Sequence, residues 1–138
     1  MSIKRIHEGT SPNEGGGNDM ASMQKKNHAS PDETRTFSKG KLALVSLGGF
    51  TFGRMTAEPG WKWSESIKPV VKTNSCQQEH LSYHVSGRLR VRMDDGSEAE
   101  FGPGDVSMIP AGHDAWVVGN EPAVIIDITG MKDYAKPR

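Results

Sequence analysis

From Leu42 onward the chain is a succession of short apolar or alternating runs, each stopped within a few residues by Gly, Pro, Asn or Asp. The runs are Leu42 to Leu47, Phe50 to Met55, a short Trp61 to Trp63, Leu81 to Val85, Arg88 to Met93, Glu98 to Phe101, Val106 to Ile109, Ala115 to Val118 and Val124 to Ile128. No helical period of comparable length competes with them, so the pattern predicts an all-β sandwich or barrel. Asp94-Asp95-Gly96 is a hairpin signal between two alternating strands, and Gly102-Pro103-Gly104-Asp105 punctuates the next connection. Leu89, Val91 and Met93 alternate with Arg88, Arg90 and Arg92, which gives that strand one buried and one wet face. The three arginines read either as a solvated face or as an anion site.

The residues before the first run have another texture. From His7 to about Ser38 the chain is Gly, Ser, Asn, Pro and charge, with Gly15-Gly16-Gly17 at its loosest point and Met20 and Met23 as alternative starts. Such a stretch has little apolar surface to offset its ordering entropy. The expectation is a flexible, disordered N-terminal segment over 1–38 and one domain over 39–138, a size sufficient for a single core.

Charge and cysteine content narrow the function classes. Lysine plus arginine and aspartate plus glutamate each number 17, so no excess of positive charge points to nucleic acid as a partner. Cys76 is the lone cysteine and has no internal disulfide partner; no apolar stretch suits a membrane span or a secretion signal. A cytoplasmic location without a membrane partner is the expectation. A Gly-rich phosphate loop, a nucleophile elbow and a paired-cysteine zinc finger are all missing from the sequence.

Two blocks carry a family resemblance. His80-Leu81-Ser82-Tyr83-His84-Val85-Ser86-Gly87-Arg88-Leu89 resembles the end of the first cupin motif, and Gly104-Asp105-Val106-Ser107-Met108-Ile109-Pro110-Ala111-Gly112 resembles the second. Pro59-Gly60-Trp61-Lys62-Trp63-Ser64, Ser75-Cys76-Gln77 and the stretch from Gly112 to Gly119 are similar to phrases in a subgroup of small bacterial cupins. The resemblance implies a double-stranded β-helix, the jelly-roll barrel, commonly paired as a homodimer, with a divalent metal and a small-molecule ligand inside.

The departures from the motif matter as much. The cupin glutamate position falls on His80, and the positions six and four residues before it fall on Asn74 and Cys76, or on Thr73 and Ser75 with one extra residue. The second motif's histidine falls on Ala115, while His113 directly follows Gly112. What is left is Cys76, His80 and His113, a thiolate and two imidazoles of the kind zinc prefers, with iron, manganese or nickel as further candidates. Four extended residues span about 13 Å, whereas two ligands of one ion lie within about 4 Å of each other. Gln77-Gln78-Glu79 must therefore turn, and Gln78 or Glu79 is a candidate for the remaining coordination position.

Each of these residues has a plainer role beside the functional one. Cys76 reads also as a small buried hydrophobe, and His113 as a turn residue bonded to backbone with Asp114 nearby. His80, Ser82 and His84 share one strand face and Leu81, Tyr83 and Val85 the other; the polar stripe is assigned inward, which leaves the apolar stripe to pack on a second subunit. Trp61, Trp63 and Trp116 are either core and interface or, with His84, the wall of a ligand pocket. Two functions follow: a metal-dependent enzyme acting on a small metabolite, with His84 or Glu79 as proton carrier, or a metal-free module that binds or senses a small molecule. A Cys76 nucleophile activated by a histidine is a third arrangement of the same residues.

Overall fold

The computed structural model describes residues 22–129 and 131–137. Nine strands account for about half of this length: β1 Glu33–Phe37, β2 Gly40–Leu47, β3 Phe50–Ala57, β4 His80–Ser86, β5 Arg88–Met93, β6 Glu98–Phe101, β7 Val106–Ile109, β8 His113–Val118 and β9 Ala123–Thr129. Two single-turn helices, α1 Trp63–Ser66 and α2 Lys68–Val71, lie between β3 and β4. One sheet runs β1-β2-β3-β9-β4-β7 and the other β6-β5-β8, with every pairing antiparallel. Leu42, Met55 and Ile125 of the first sheet share one core with Leu89, Val91, Ala115 and Val117 of the second. The alternating sequence pattern is what produces this, because period-two alternation puts one face of each strand inside.

Two local expectations are corrected. The boundary drawn at Ser38 falls inside the sheet, since β1 pairs with β2 from Glu33↔Leu44 to Phe37↔Gly40. This strand is a polar edge whose residues are mostly exposed or half-buried, so it carries no apolar alternation to betray it. The part of the segment before residue 22 lies outside the described residues. Trp61 to Trp63 is not a strand either: a single bridge joins Lys62 to Trp116, and the chain then turns into α1. Both tryptophans are buried in the core, Trp61 just before the bridge and Trp63 as the first residue of α1.

The arginine stripe of β5 is paired across the sheet surface. Arg88 Nε meets Glu100 at 2.6 Å and Arg90 Nε meets Glu98 at 2.7 Å, so its charges are matched by β6. At the β4–β5 turn Gly87 has φ 73°, and a Cβ there would lie 2.1 Å from the Pro122 carbonyl oxygen. Only glycine fits both the conformation and the approach. Gly87→Ala should therefore lower the urea midpoint markedly, by a ΔΔG of roughly 2 kcal/mol or more for the forced φ and the clash together.

Candidate metal centre

The alternation of β4 places His80, Ser82 and His84 inside and Leu81, Tyr83 and Val85 outside. His80 is the first residue of the strand, opposite Ile109 of β7. Cys76 reaches the same end of the barrel by a separate device. It forms an isolated antiparallel bridge with His113, with Cys76 N donating to His113 O at 2.7 Å and Gly112 N donating to Cys76 O at 2.7 Å. Gln77 to Glu79, outside any strand or helix, then lead the chain into β4. Gly112, at φ 93°, makes the corner before His113 that leaves room for this bridge.

The outcome is a buried group of three. The ligand atoms of Cys76, His80 and His113 all lie within 4.8 Å of one another. Cys76 Sγ is 3.7 Å from His80 Nε2, close to the separation of about 3.5 Å that a tetrahedral zinc with bonds of about 2.3 and 2.0 Å sets between sulfur and nitrogen. The His80 and His113 ring centroids are 5.3 Å apart.

The other ring nitrogens fix which atom faces the thiol. His80 Nδ1 is 2.9 Å from Asp127 Oδ2, and His113 Nδ1 is 2.9 Å from Pro110 O. A carboxylate and a carbonyl can only accept, so both Nδ1 atoms carry the proton and both Nε2 atoms are left for an ion. This is the outer-sphere arrangement that orients metal-binding histidines in general. Asp127 is fully buried on β9, takes a second bond from Ser82 Oγ at 2.5 Å and accepts the Thr129 N–H at 2.7 Å through Oδ1.

Burial pushes the Cys76 thiol up, but hydrogen bonds and charge from His113 and then His80 outweigh it and bring the group down to about 6. For His80, burial works downward and the bonds to Asp127 and Cys76 reverse it, raising the imidazole to about 9. Each group thus favours the charged form of the other, the thiolate beside the imidazolium. A divalent cation at the same point would take the place of the His80 proton.

A cavity of about 40 Å³ lies between the sheets beside this group, bounded among others by His80, His113, Asp127, Trp61, Trp63 and Tyr134. A second recess of about 300 Å³ opens on the other side of Tyr134 and Trp63, where Cys76, Gln77 and Gln78 meet residues 133–137. Of the expected ligand-binding residues, Trp61, Trp63 and His84 line the inner cavity. His84 bonds Ser107 Oγ through Nε2 at 2.8 Å and stacks on Phe101 at 5.1 Å. Burial lowers its imidazole from the ordinary value against the pull of Asp105 and Asp127.

Trp116 is not part of the cavity. It is a half-buried residue of β8 pointing away from the core-facing positions, with the Lys62 ammonium 5.5 Å from its ring centroid. Glu79 is exposed and Gln78 lines only the outer recess, so neither completes the group of three. Asp114 accepts Ser64 N at 3.1 Å and steadies α1 instead of pairing with His113.

Asp127, Ser82 as its partner, and Tyr134 join the site without having been expected there. Asp127 had a signal: it is the one charged residue in the run Val124 to Ile128, on the same face as Ala123 and Ile125. Tyr134 follows the last strand and had none.

Solved structures of low identity share this arrangement of strands. The polyketide cyclase RemF from Streptomyces resistomycificus matches with a TM-score of 0.55 at 16% identity, over 78% of this chain and 78% of that one. The oxalate decarboxylase of Lactobacillus farciminis matches with a TM-score of 0.53 at 19% identity, over 74% of this chain and 32% of that one. The fold of this chain is cupin-like. A Rhizobium leguminosarum protein of unknown function matches with a TM-score of 0.52 at 22% identity, over 84% of this chain and 98% of that one. The cupin-like domain thus spans about a third of the decarboxylase and nearly all of the Rhizobium protein. No family model and no curated protein matches it. Among the described residues no helix is long and apolar enough to cross a membrane.

Proposed function

We propose that this cupin-like domain binds one divalent metal ion, zinc by preference, through Cys76 Sγ, His80 Nε2 and His113 Nε2, and presents it to a small ligand in the barrel. The observation that carries the reading is the pair of tied Nδ1 atoms, which aim both free imidazole nitrogens at one buried thiol. Ordinary core histidines need no such agreement. A borderline-soft ion suits one sulfur and two nitrogens, and three protein ligands leave a position open, as catalytic zinc sites do. A bound ion of this kind supplies Lewis acidity at that position. The chain's own residues orient the ligands and exclude water. A thiolate ligand needs reducing surroundings, which supports a cytoplasmic setting.

Metal analysis of tag-free protein should return one ion per chain, and both Cys76→Ser and His80→Ala should reduce the content to background. Full occupancy in both variants would remove the assignment. One rival has a specific observation in its favour: Cys76, His80 and Asp127 are also in the order of nucleophile, base and orienting acid. Metal-free protein whose Cys76 is alkylated quickly, and which gains nothing from added zinc, would favour that reading.

The domain also pairs with a second copy in this proposal. The outward positions of β4, β7 and β9 form one apolar field without charge, in which Val106 is 71% and Met108 81% exposed and Tyr83 and Leu81 stand opposite them in register. An uncharged apolar face complements itself, which suits a two-fold dimer. Light scattering should give twice the chain mass for the native protein and the monomer mass for Met108→Lys. A monomeric native protein at micromolar concentration would end the proposal.

A further inference from the structure

The inner cavity is small, and one of its walls carries an unused donor. Trp61 is 2% exposed, it bounds the cavity, and its indole Nε1 is buried with no hydrogen-bond partner. Buried N–H groups are ordinarily satisfied, and this one stands out among the described residues for having no acceptor. Several other polar side chains around the cavity are already engaged, Ser82 donating to Asp127, His84 bonded to Ser107, and His80 and His113 with their Nδ1 atoms tied, while the Tyr134 hydroxyl is a second polar group of the wall. An indole N–H donates only, so its partner has to bring an acceptor.

Size limits the partner further. A single water needs about 10–15 Å³ of such space, so a cavity of about 40 Å³ holds roughly three water-sized groups. Sugars and ring-bearing organic acids, for which cavities of about 300 Å³ and more are usual, do not fit.

From these observations we infer that the ligand taken up beside the metal is a small anion of about three heavy atoms or fewer, bound at the open coordination position and accepting a hydrogen bond from Trp61 Nε1. The inference rests on the metal-binding reading and goes further by naming the ligand class and the residue that selects it. It narrows the expectation of a small metabolite to a molecule the size of azide or formate. Trp61 is then a ligand-positioning donor in addition to a core residue, and the wall made with Trp63 and Tyr134 acts as a size filter.

The test uses the full chain loaded with Co(II), whose visible spectrum reports the coordination sphere. A 1:1 spectrum in the native protein establishes the site itself; its failure would count against the metal reading and is seen before any anion is added. Azide should then shift the spectrum saturably, while benzoate should leave it unchanged. In Trp61→Phe, which keeps the ring and removes the N–H, the azide dissociation constant should rise about 10-fold, the usual size of one hydrogen bond, with Co(II) affinity within twofold of native. No response to azide, an equal response to benzoate, or unchanged azide affinity in the folded variant would each overturn the inference. The azide and benzoate comparison on native protein stands even if the variant does not fold.

Discussion

Replacing Asp127 is expected to weaken metal binding about 10- to 100-fold, the range found when the outer-sphere partner of a metal-binding histidine is removed. Asp127→Asn keeps the shape but turns a charged acceptor into an amide that no longer holds the His80 proton with full strength. Competition with a chelating dye measures the effect. Asp127→Ala should act on the fold as well, because His80, Ser82 and the Thr129 N–H all lose the acceptor they share. Breaking a buried charged pair on one side costs about 3–5 kcal/mol, a large part of the stability of a domain this size. Ser82→Ala separates the two effects: it deletes one donor, costs about 1 kcal/mol, and leaves the His80–Asp127 bond in place. If Asp127→Asn bound zinc as tightly as the native protein, the carboxylate would have to be read as a packing residue alone.

The same residue shows how far a sequence can be read. The alternation from Leu42 onward predicts which side chains face inward, and β4 obeys it residue by residue, because a period of two has only two solutions and burial picks one. Cys76, His80 and His113 are visible as chemistry because they adjoin motif positions and are rare residue types. Asp127 is separated from His80 by 47 positions. Nothing local says that β9 inserts between β3 and β4 in the sheet, which is what brings the carboxylate alongside. Strand order is set by long-range pairing and cannot be counted off along the chain. Strand β1 was hidden for the opposite reason: its pairing is local, a hairpin with β2, but its polar face has no core to pattern it. The pair of helical turns at Trp63 and Lys68 is too short to leave a helical period, and its tryptophan, Trp63, is buried all the same.

Arg35 of β1 has the second large expected effect. Its guanidinium donates to three carbonyls of the segment after β9, those of Tyr134 and Lys132 at 2.6 Å and that of Met131 at 3.3 Å. Glu33 steadies the same group at 2.7 Å. Tyr134 stands edge-on to His80, 5.6 Å between ring centroids, and separates the inner cavity from the outer recess that Cys76 lines. Loosening the segment should therefore open a way to Cys76, the lone thiol in the chain. A hydrogen bond to a charged group is worth about 1.5–3 kcal/mol, so the loss of even one shifts an opening equilibrium by a factor of about 10 to 150. Arg35→Ala should raise the alkylation rate of Cys76 in metal-free protein by at least the lower of these factors. Arg35→Lys should fall between, since a point charge cannot bond three carbonyls in one plane. Urea midpoints distinguish local opening from general loss of stability: local opening speeds alkylation while the unfolding transition moves little, because β2, β3, β9 and β4 still form the sheet. Bound zinc should protect Cys76 in native protein and in both variants. Equal alkylation rates in native protein and Arg35→Ala would mean that the segment does not control access, and that a ligand enters by another end of the barrel.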